Sequence, residues 1–333
     1  METLNLGYIG CGSFASHTYP LTQRNPLYRI RAACDINVDA AKALAEKAGA
    51  AYHTADADEL LADPEIDVVF ITTRHNNHAE LAVKAAEAKK HVYCEKPMGL
   101  SRDECRMVAR AVRENGVKYC IGYNRGLAPM IAKARELLTS QSEKKMIYHR
   151  IQDFLFAEHW THQPHIGGGR FVGEGCHIFD LLCVLVGAPP ATVYAAGGTF
   201  QNGEIVKIYD SAVVTITFSD GSVCVTLIDS AGCNSFPKEA TEIYCGGKAI
   251  YINNFKTMEY HGYEGRGKTE WTFDAVDKGH EIEFDLFAKS ILNGGESPNG
   301  IVNAARAAVI SYMVNESIAS GMPIKITEDD YTF

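Results

Sequence analysis

The fold is decided by residues 4–15, Leu-Asn-Leu-Gly-Tyr-Ile-Gly-Cys-Gly-Ser-Phe-Ala. The apolar first half predicts a short strand, and a helix is expected to begin at Ser13 and Phe14. Between them lies a G-x-G-x-x-A pattern, in which Gly10 permits a tight turn and Gly12 lets a pyrophosphate approach the main chain. The N-terminus of the helix would then face the phosphates of a dinucleotide.

Asp35 stands at the predicted end of the second strand, about where the ribose-binding acid of such folds is found. Its carboxylate can accept hydrogen bonds from both ribose hydroxyls and repels a 2′-phosphate, and no arginine follows it. We therefore expect NAD rather than NADP as the cofactor. The alternative is that Asp35 only ends a strand or starts a turn.

Strand and helix patterns alternate through the first 122 residues. Helix signals lie between the strands, for example Asn37 as an N-cap and Gly49 as a stop. Such alternation predicts an α/β fold with a doubly wound parallel sheet of the Rossmann type. The predicted strands are Leu4–Ile9, Tyr28–Cys34, Asp67–Ile71, His91–Cys94 and Val117–Ile121.

After residue 122 the pattern changes to strands in series, which predicts an antiparallel sheet. Asp220-Gly221 is a hairpin turn signal within this run. We therefore expect two domains, a dinucleotide-binding half and a half that is rich in sheet. The predicted β segments are 191–199, 205–218, 222–230, 240–245, 248–253, 256–260 and 269–273.

Composition and charge exclude several classes of partner. The 333-residue chain has a net charge of −9 and no run of lysine or arginine, so we expect no nucleic acid partner. No apolar run is long enough to span a membrane, so no membrane association is expected. Ten cysteines without a C-x-x-C pair, and an opening segment without a secretory signal, favour reduced thiols in a cytoplasmic protein.

A second motif, Glu95-Lys96-Pro97, directly follows the strand His91–Cys94. With the glycine turn and a later Gly-Gly-Gly…His-x-x-Asp pattern, it makes the chain resemble the glucose–fructose oxidoreductase/inositol dehydrogenase family over almost its whole length. The resemblance implies a Rossmann domain at 1–122 and a substrate-binding α/β domain at 123–333 with an open, mostly antiparallel sheet. It also implies a homo-oligomer, a dimer, tetramer or larger, that packs through the outer face of this sheet.

The resemblance also assigns roles to particular residues. It implies that Glu95 contacts the nicotinamide ribose, that Lys96 reaches both the nicotinamide and the reacting hydroxyl, and that a cis bond precedes Pro97. Asn124 and Arg125 match the stretch at the domain junction, with Asn124 on the cofactor side and Arg125 on the substrate side. The cofactor loop after the strand that ends at residue 71 is expected to contribute Thr72, Thr73, Asn76 and His78.

Glu174, His177 and Asp180 form a further candidate set, spaced so that a helix brings them to one face. Histidine titrates near neutral pH, and two carboxylates could orient it and raise its basicity. We assign Lys96 as the group that binds and polarises the reacting oxygen and His177 as the proton acceptor, roles that could be exchanged. In many members of the family that the chain resembles, an aspartate stands four residues before this histidine, whereas this chain has Gly173. Either the adjacent Glu174 substitutes for it, or the proton chemistry rests on Lys96 and His177.

Candidate substrate contacts lie just before and within the glycine stretch. Trp160 offers a flat face to the C–H face of a sugar, or is a core residue. Arg170 could bind hydroxyls or a phosphate, or pair with the glutamate four residues on. His159, His162 and His165 form H-x-x-H-x-x-H, but a proline and the glycines indicate a loop. We therefore favour hydrogen bonding by His162 over a zinc site, and expect no metal.

These features predict an NAD-dependent oxidoreductase that acts on a CH–OH group of a carbohydrate. A hydride would pass between a secondary ring hydroxyl of a sugar, glycoside or cyclitol, with C3 as a candidate position, and nicotinamide. One alternative is a glycoside-cleaving enzyme in which bound NAD cycles between its two redox states. A second is a non-catalytic NAD-binding regulatory protein, which Gly173 motivates.

Overall fold

The computed structural model describes residues 2–139, 143–262 and 267–333, and they form two compact units. The first unit extends to Tyr123 and includes His280–Ala305 and Phe333, and the second consists of Asn124–Gly279 and Arg306–Thr332. The strands are β1 (Leu4–Ile9), β2 (Tyr28–Cys34), β3 (Tyr52–Thr54), β4 (Val68–Ile71), β5 (His91–Cys94), β6 (Tyr119–Ile121), β7 (Met146–Gln152), β8 (Pro190–Gly198), β9 (Ser211–Phe218), β10 (Val223–Asp229), β11 (Glu239–Cys245), β12 (Lys248–Asn253), β13 (Thr257–His261), β14 (Lys268–Thr272) and β15 (Ile324–Lys325). The α-helices are α1 (Ser13–Arg24), α2 (Val38–Ala48), α3 (Ala57–Ala62), α4 (His78–Glu87), α5 (Arg102–Asn115), α6 (Pro129–Thr139), α7 (Cys176–Val186), α8 (His280–Leu292) and α9 (Ile301–Ser320).

The first unit contains a fully parallel sheet in the order β3-β2-β1-β4-β5-β6. This is the doubly wound sheet that the sequence predicts. Every residue of β4 is buried, as a central strand covered on both faces requires. The Asn37 side chain accepts a hydrogen bond from the N–H of Ala40, and Gly49 ends α2 in the left-handed conformation, as expected of caps.

Aromatic side chains fill the core of this unit. Phe70 on β4 stacks on Tyr93 of β5 with ring centroids 4.5 Å apart, and the ring of Phe284 on α8 lies 5.2 Å from Phe70. The Tyr28 hydroxyl donates to the main-chain oxygen of Phe284 at 2.8 Å. A division at residue 122 assigns α8 to the second half of the chain. The structure differs there because Phe284 and Phe287 of α8 are buried against this sheet.

The second unit contains a nine-stranded sheet in the order β14-β13-β12-β11-β7-β10-β9-β8-β15. Its neighbours are antiparallel except β7 and β10, so the sheet is mixed and mostly antiparallel, as expected. On β9, Val214 and Ile216 are buried whereas Val213 is 46% exposed, so one face of the sheet is open. Within the ranges that the structure describes, no helix is both long and apolar enough to cross a membrane.

Candidate active site

The glycine turn after β1 leaves an open space in front of α1. Gly10 has a φ of +95°, and a Cβ on it would lie 2.7 Å from the main-chain carbon of Thr72, so the turn requires glycine. At Gly12 a Cβ would meet nothing within 4 Å. Within the described chain, α1 has no side-chain cap and no acidic residue in its first turn, so its positive end can face an anion. Ser13 is exposed there, and Phe14 is half-buried near two histidine rings.

Asp35, which follows β2, organises this turn. Its Oδ2 accepts from the N–H of Cys11 at 2.6 Å, and its Oδ1 accepts from the N–H of Asn37 at 2.8 Å. A carboxylate offers about four acceptor positions, so two remain for the hydroxyls of a ribose. The space at Gly12, the start of α1 and the carboxylate of Asp35 together fit the phosphates and ribose of NAD.

The loop after β4 contains predicted cofactor residues in different surroundings. Thr72 is buried, and its hydroxyl donates to the main-chain oxygen of Gly10 at 2.6 Å. This bond ties the loop to the glycine turn. Thr73 is half-buried and Asn76 is exposed, so their side chains lie at the surface of the loop.

His78 joins the β4 loop to the Glu-Lys-Pro loop from inside. It is fully buried, and its ring nitrogens lie 2.8 Å from the main-chain oxygen of Pro97 and 3.2 Å from that of Thr73. Burial lowers the pKa of His78 to about 4, so the ring is neutral near pH 7. The neutral ring can donate to only one of these two oxygens, so it links the two loops by one hydrogen bond and one close contact.

The Glu-Lys-Pro motif extends β5 at the same edge of the sheet. The N–H of Glu95 donates to the main-chain oxygen of Ile71 at 2.9 Å, and the buried Glu95 carboxylate accepts from the Tyr93 hydroxyl at 2.9 Å. Lys96 is half-buried, and the Lys96–Pro97 peptide is cis, as the resemblance implies. The glycine turn, the β4 loop and Lys96 follow the neighbouring strands β1, β4 and β5, so they share the carboxyl edge of one sheet.

In the second unit, a π-helical turn over Phe171–Gly175 leads into α7 and carries the candidate acid–base residues. His177 is buried in the first turn of α7. Glu174 Oε1 accepts from Arg125 Nη2 and from Lys238 Nζ, both at 3.1 Å. Glu174 is thus paired with two cations, and its proposed service to His177 stays a prediction.

Asp180 lies one turn further along α7 and is wholly buried. Neither of its carboxylate oxygens has a hydrogen-bond partner among the described residues, and a Cβ on Gly126 would come 3.4 Å from Oδ2. Burial raises the pKa of Asp180 to about 7, although Arg306 acts in the opposite direction. Near neutral pH, Asp180 is therefore divided between its charged and its protonated form.

We expect Asp180→Asn to stabilise the protein in alkali and to change little in acid. The folded-state pKa of about 7 lies above the ordinary value of 3.8, so the wild type loses stability as the pH rises between these values. The accumulated loss is about 4 kcal/mol, and the neutral amide avoids it. Urea unfolding of both proteins at about pH 4 and about pH 8 checks this. If the free energies of unfolding of the wild type and Asp180→Asn differed by the same amount at the two pH values, the prediction would be contradicted.

Arg125 belongs to a buried ionic cluster that the sequence analysis did not foresee. Its Nε and Nη2 donate to Oε2 and Oε1 of Glu239 on β11 at 2.8 and 2.9 Å, and Lys278 also contacts Glu239. Burial alone would raise the pKa of Glu239, but Arg125 and Lys278 hold it well below its ordinary range. Asn124 is buried as well, and its Nδ2 donates to the main-chain oxygen of Lys278 at 2.8 Å. In the sequence, the signal that could have indicated this cluster is the pair of adjacent charged residues Lys238 and Glu239 at the start of β11.

Two candidate substrate residues, Trp160 and His162, lie on a short 3₁₀ turn. The Trp160 ring is half-buried and lies 5.7 Å from the ring of His159. His162 is buried, and its Nδ1 donates to the main-chain oxygen of Ala157 at 3.1 Å. Arg170 is buried and pairs with Asp153. In residues 2–139, 143–262 and 267–333, no group of three or more His, Cys, Asp and Glu side chains could hold a metal ion.

Comparison with known proteins bears on both halves of the chain. A family model described as "Oxidoreductase family, NAD-binding Rossmann fold" matches residues 4–123, and its companion, "Oxidoreductase family, C-terminal alpha/beta domain", matches residues 139–326. The chain belongs to this oxidoreductase family. The resemblance to the glucose–fructose oxidoreductase/inositol dehydrogenase group is thereby confirmed, and the enzyme is an oxidoreductase with an NAD-binding Rossmann domain.

Individual relatives of the enzyme span its whole length. It is 28% identical to the "Uncharacterized oxidoreductase YrbE" of Bacillus subtilis, with 96% of each chain covered. It is 24% identical to the "Myo-inositol 2-dehydrogenase" of Thermotoga maritima, over 98% of this chain and 99% of that one. Among solved structures, a levoglucosan dehydrogenase in complex with NADH and levoglucosan has the same fold, with a TM-score of 0.88, 22% identity, and coverage of 98% of this chain and 100% of that one.

Proposed function

We propose that the enzyme oxidises a secondary ring hydroxyl of a sugar, glycoside or cyclitol with NAD⁺, or catalyses the reverse reduction. The observation that carries this proposal is the position of Lys96 at the same sheet edge as the glycine turn and Asp35. A cyclic polyol as substrate is supported by the names of the relatives, which are dehydrogenases of myo-inositol and levoglucosan. C3 of a pyranose ring is the candidate carbon.

Two residues carry the proton chemistry in this proposal. Lys96 binds the reacting hydroxyl through its ammonium group and polarises the O–H bond. His177 accepts the hydroxyl proton as the C–H bond breaks. NAD⁺, when bound, supplies the acceptor for the hydride. Glu174 and Asp180 set the electrostatic surroundings of His177 from one turn on either side.

The remaining roles divide between the two predicted domains. In this proposal residues 1–122 hold the cofactor, through Gly10, Gly12, Ser13, Phe14, Asp35, the β4 loop and Glu95, with Asn124 just beyond. Residues 123–333 hold the substrate. The half-exposed face of Trp160 packs on the C–H face of the substrate ring. His162, Arg170 and Arg125 supply polar contacts to the substrate or orient the residues that make such contacts.

Asp35→Ala is expected to raise the Kd for NAD⁺ at least about tenfold and to reduce the preference for NAD⁺ over NADP⁺. The change removes the acceptor for the ribose hydroxyls and the partner of the N–H groups of Cys11 and Asn37. Calorimetric titration with NAD⁺ and with NADP⁺ measures the two Kd values. Asp39→Ala, in the exposed first turn of α2, is the control and should leave both affinities unchanged. An unchanged NAD⁺ affinity in Asp35→Ala would mean that Asp35 only shapes the turn.

A substrate panel tests the proposed reaction. Purified enzyme is incubated with NAD⁺ and with cyclitols, aldoses and glycosides, and NADH and the sugar products are both measured. Oxidation of at least one cyclic polyol with equal amounts of NADH is the expected result. Glycoside cleavage without net NADH would favour the retained-cofactor alternative. No turnover of any panel member, with NAD⁺ bound, would favour a regulatory protein.

Two further proposals concern the assembled protein. Exposed apolar side chains on the second sheet, including Tyr194, Val213 and Tyr244, support self-association through the open face. Sedimentation of the wild type and of Val213→Lys tests this, since a charge on that face should dissociate the oligomer. All ten cysteines are free thiols, which supports a cytoplasmic location.

A further inference from the structure

A row of buried polar side chains links Glu95 to the helix α8 within the first unit. The Tyr93 hydroxyl lies 2.9 Å from Glu95 Oε1 and 3.1 Å from Glu283 Oε2. Asn299 Nδ2 donates to Glu283 Oε1 at 2.6 Å and to the main-chain oxygen of Tyr123 at 3.2 Å. Tyr93, Glu95, Glu283 and Asn299 are all buried, and we call these four side chains the Tyr93 network.

The Tyr93 hydroxyl cannot donate to both glutamates if both are ionised. A phenol has one hydrogen and can donate it to only one of the two carboxylate oxygens. Burial raises the pKa of Tyr93 well above its ordinary value, so the phenol keeps its proton. With both glutamates charged, one carboxylate oxygen would face the phenol oxygen without a hydrogen, and two negative charges would be buried together.

We propose that Glu95 and Glu283 share one proton through Tyr93, with Glu283 as the protonated member, and that Glu283 is a positioning residue for Glu95. Glu283 is 0% exposed, whereas Glu95 is 6% exposed at the edge of the sheet, so ionisation costs less at Glu95. Glu283 then donates to the phenol oxygen, and Tyr93 donates to Glu95. Glu95 keeps one oriented negative charge, and its use toward the nicotinamide ribose rests on the proposed function.

Gly122 provides the space for this arrangement. A Cβ at this position would overlap Glu95 Oε1 and would lie 2.6 Å from the Tyr93 hydroxyl oxygen. Glu95 Oε1 is at the end of a flexible side chain, whereas the buried Tyr93 ring is stacked on Phe70 and cannot easily yield. Gly122→Ala therefore displaces the Glu95 carboxylate without removing any polar group, and it tests the position of Glu95.

Infrared spectroscopy tests the shared proton without cofactor or substrate. The Asp180→Asn background is used, because Asp180 is itself partly protonated near neutral pH. That protein should show the carbonyl band of a buried carboxylic acid, and adding Glu283→Gln should remove the band. The amide should preserve the fold, since it can donate to Tyr93 and accept from Asn299. A band that is absent from the background protein, or that persists with Glu283→Gln, would overturn the assignment.

Tyr28→Phe is the matched control for Tyr93→Phe. It removes another buried hydroxyl of the same aromatic core, but one that donates to a main-chain oxygen, so it should leave the infrared band unchanged. Tyr93→Phe, Gly122→Ala and Glu283→Ala should each raise the Kd for NAD⁺ about tenfold. Tyr28→Phe should stay near the wild-type value, and so should Glu283→Gln, because its amide keeps the donor to Tyr93. Circular dichroism checks that each variant is folded.

Equal effects of Tyr93→Phe and Tyr28→Phe on NAD⁺ affinity would contradict the positioning role, since both variants lose one buried hydroxyl. If the wild type oxidised no cyclic polyol, the proposed function would fail, but the infrared result on Glu283 would stand unchanged. The two proposals can therefore fail separately.

Discussion

Alanine in place of Lys96 is expected to lower kcat/KM for polyol oxidation by about 10³-fold or more. In the proposed function this variant loses the ammonium group that binds and polarises the reacting hydroxyl, so the effect should fall mainly on kcat, with a much smaller change in the Kd for NAD⁺. Lys96 is half-buried after β5 and lies outside the hydrophobic core, so the fold should persist. Steady-state kinetics and calorimetric titration with NAD⁺ measure the two effects separately.

Lys84→Ala is the matched control for Lys96→Ala. Lys84 lies on α4 of the same unit, its side chain is 40% exposed, and it pairs with Asp58 and Glu80 at the surface. Such surface pairs contribute little, so this variant should have wild-type kinetics. If Lys96→Ala kept most of the wild-type kcat, the role proposed for Lys96 would have to be abandoned.

Glu239→Ala is expected to cost about 3–5 kcal/mol of the free energy of unfolding, the largest loss of stability among these variants. Glu239 is 1% exposed and accepts two hydrogen bonds from Arg125 as well as the contact from Lys278. Its removal leaves two cations in a buried cluster without their main counter-charge. Chemical denaturation of the wild type and the variant at neutral pH measures the loss.

Two further variants test whether the charge of Glu239 causes this loss. Glu239→Gln keeps the shape of the side chain but not its charge, and should lose most of the same stability. Glu242→Ala removes a carboxylate three residues along the same strand, where the side chain is only partly buried and interacts with Tyr244, and should cost far less. Equal losses in Glu239→Ala and Glu242→Ala would contradict the ionic account.

Local sequence signals predicted much of the first unit. Gly10 and Gly12 lie in a turn between a strand and a helix, and Asp35 follows the second strand. These residues were predictable because steric and hydrogen-bonding requirements within a short stretch of chain determine which residue types can occupy such positions. The helix caps Asn37 and Gly49 could be predicted for the same reason. The parallel and antiparallel sheets followed from the order of strands and helices.

Contacts between residues distant in sequence could not be read in the same way. Arg125 pairs with Glu239, and Glu174 pairs with Lys238. Several strands separate the members of each pair in the sequence. Helix α8 joins the first unit because its buried face matches the aromatic core there, and no local motif marks that choice. Glu283 was missed for this reason, although a glutamate on the same helical face as Phe284 and Phe287 is an unusual signal.

The most direct test of the central claim follows the hydrogen on the ring carbon. A cyclic polyol that turns over is deuterated at its reactive carbon, and the reduced cofactor is examined by mass spectrometry with the wild type, Lys96→Ala and His177→Ala. We predict one deuterium per NADH with the wild type and a rate near background with both variants. NADH without deuterium would contradict the proposed hydride transfer, and wild-type rates in the two variants would contradict the roles proposed for Lys96 and His177.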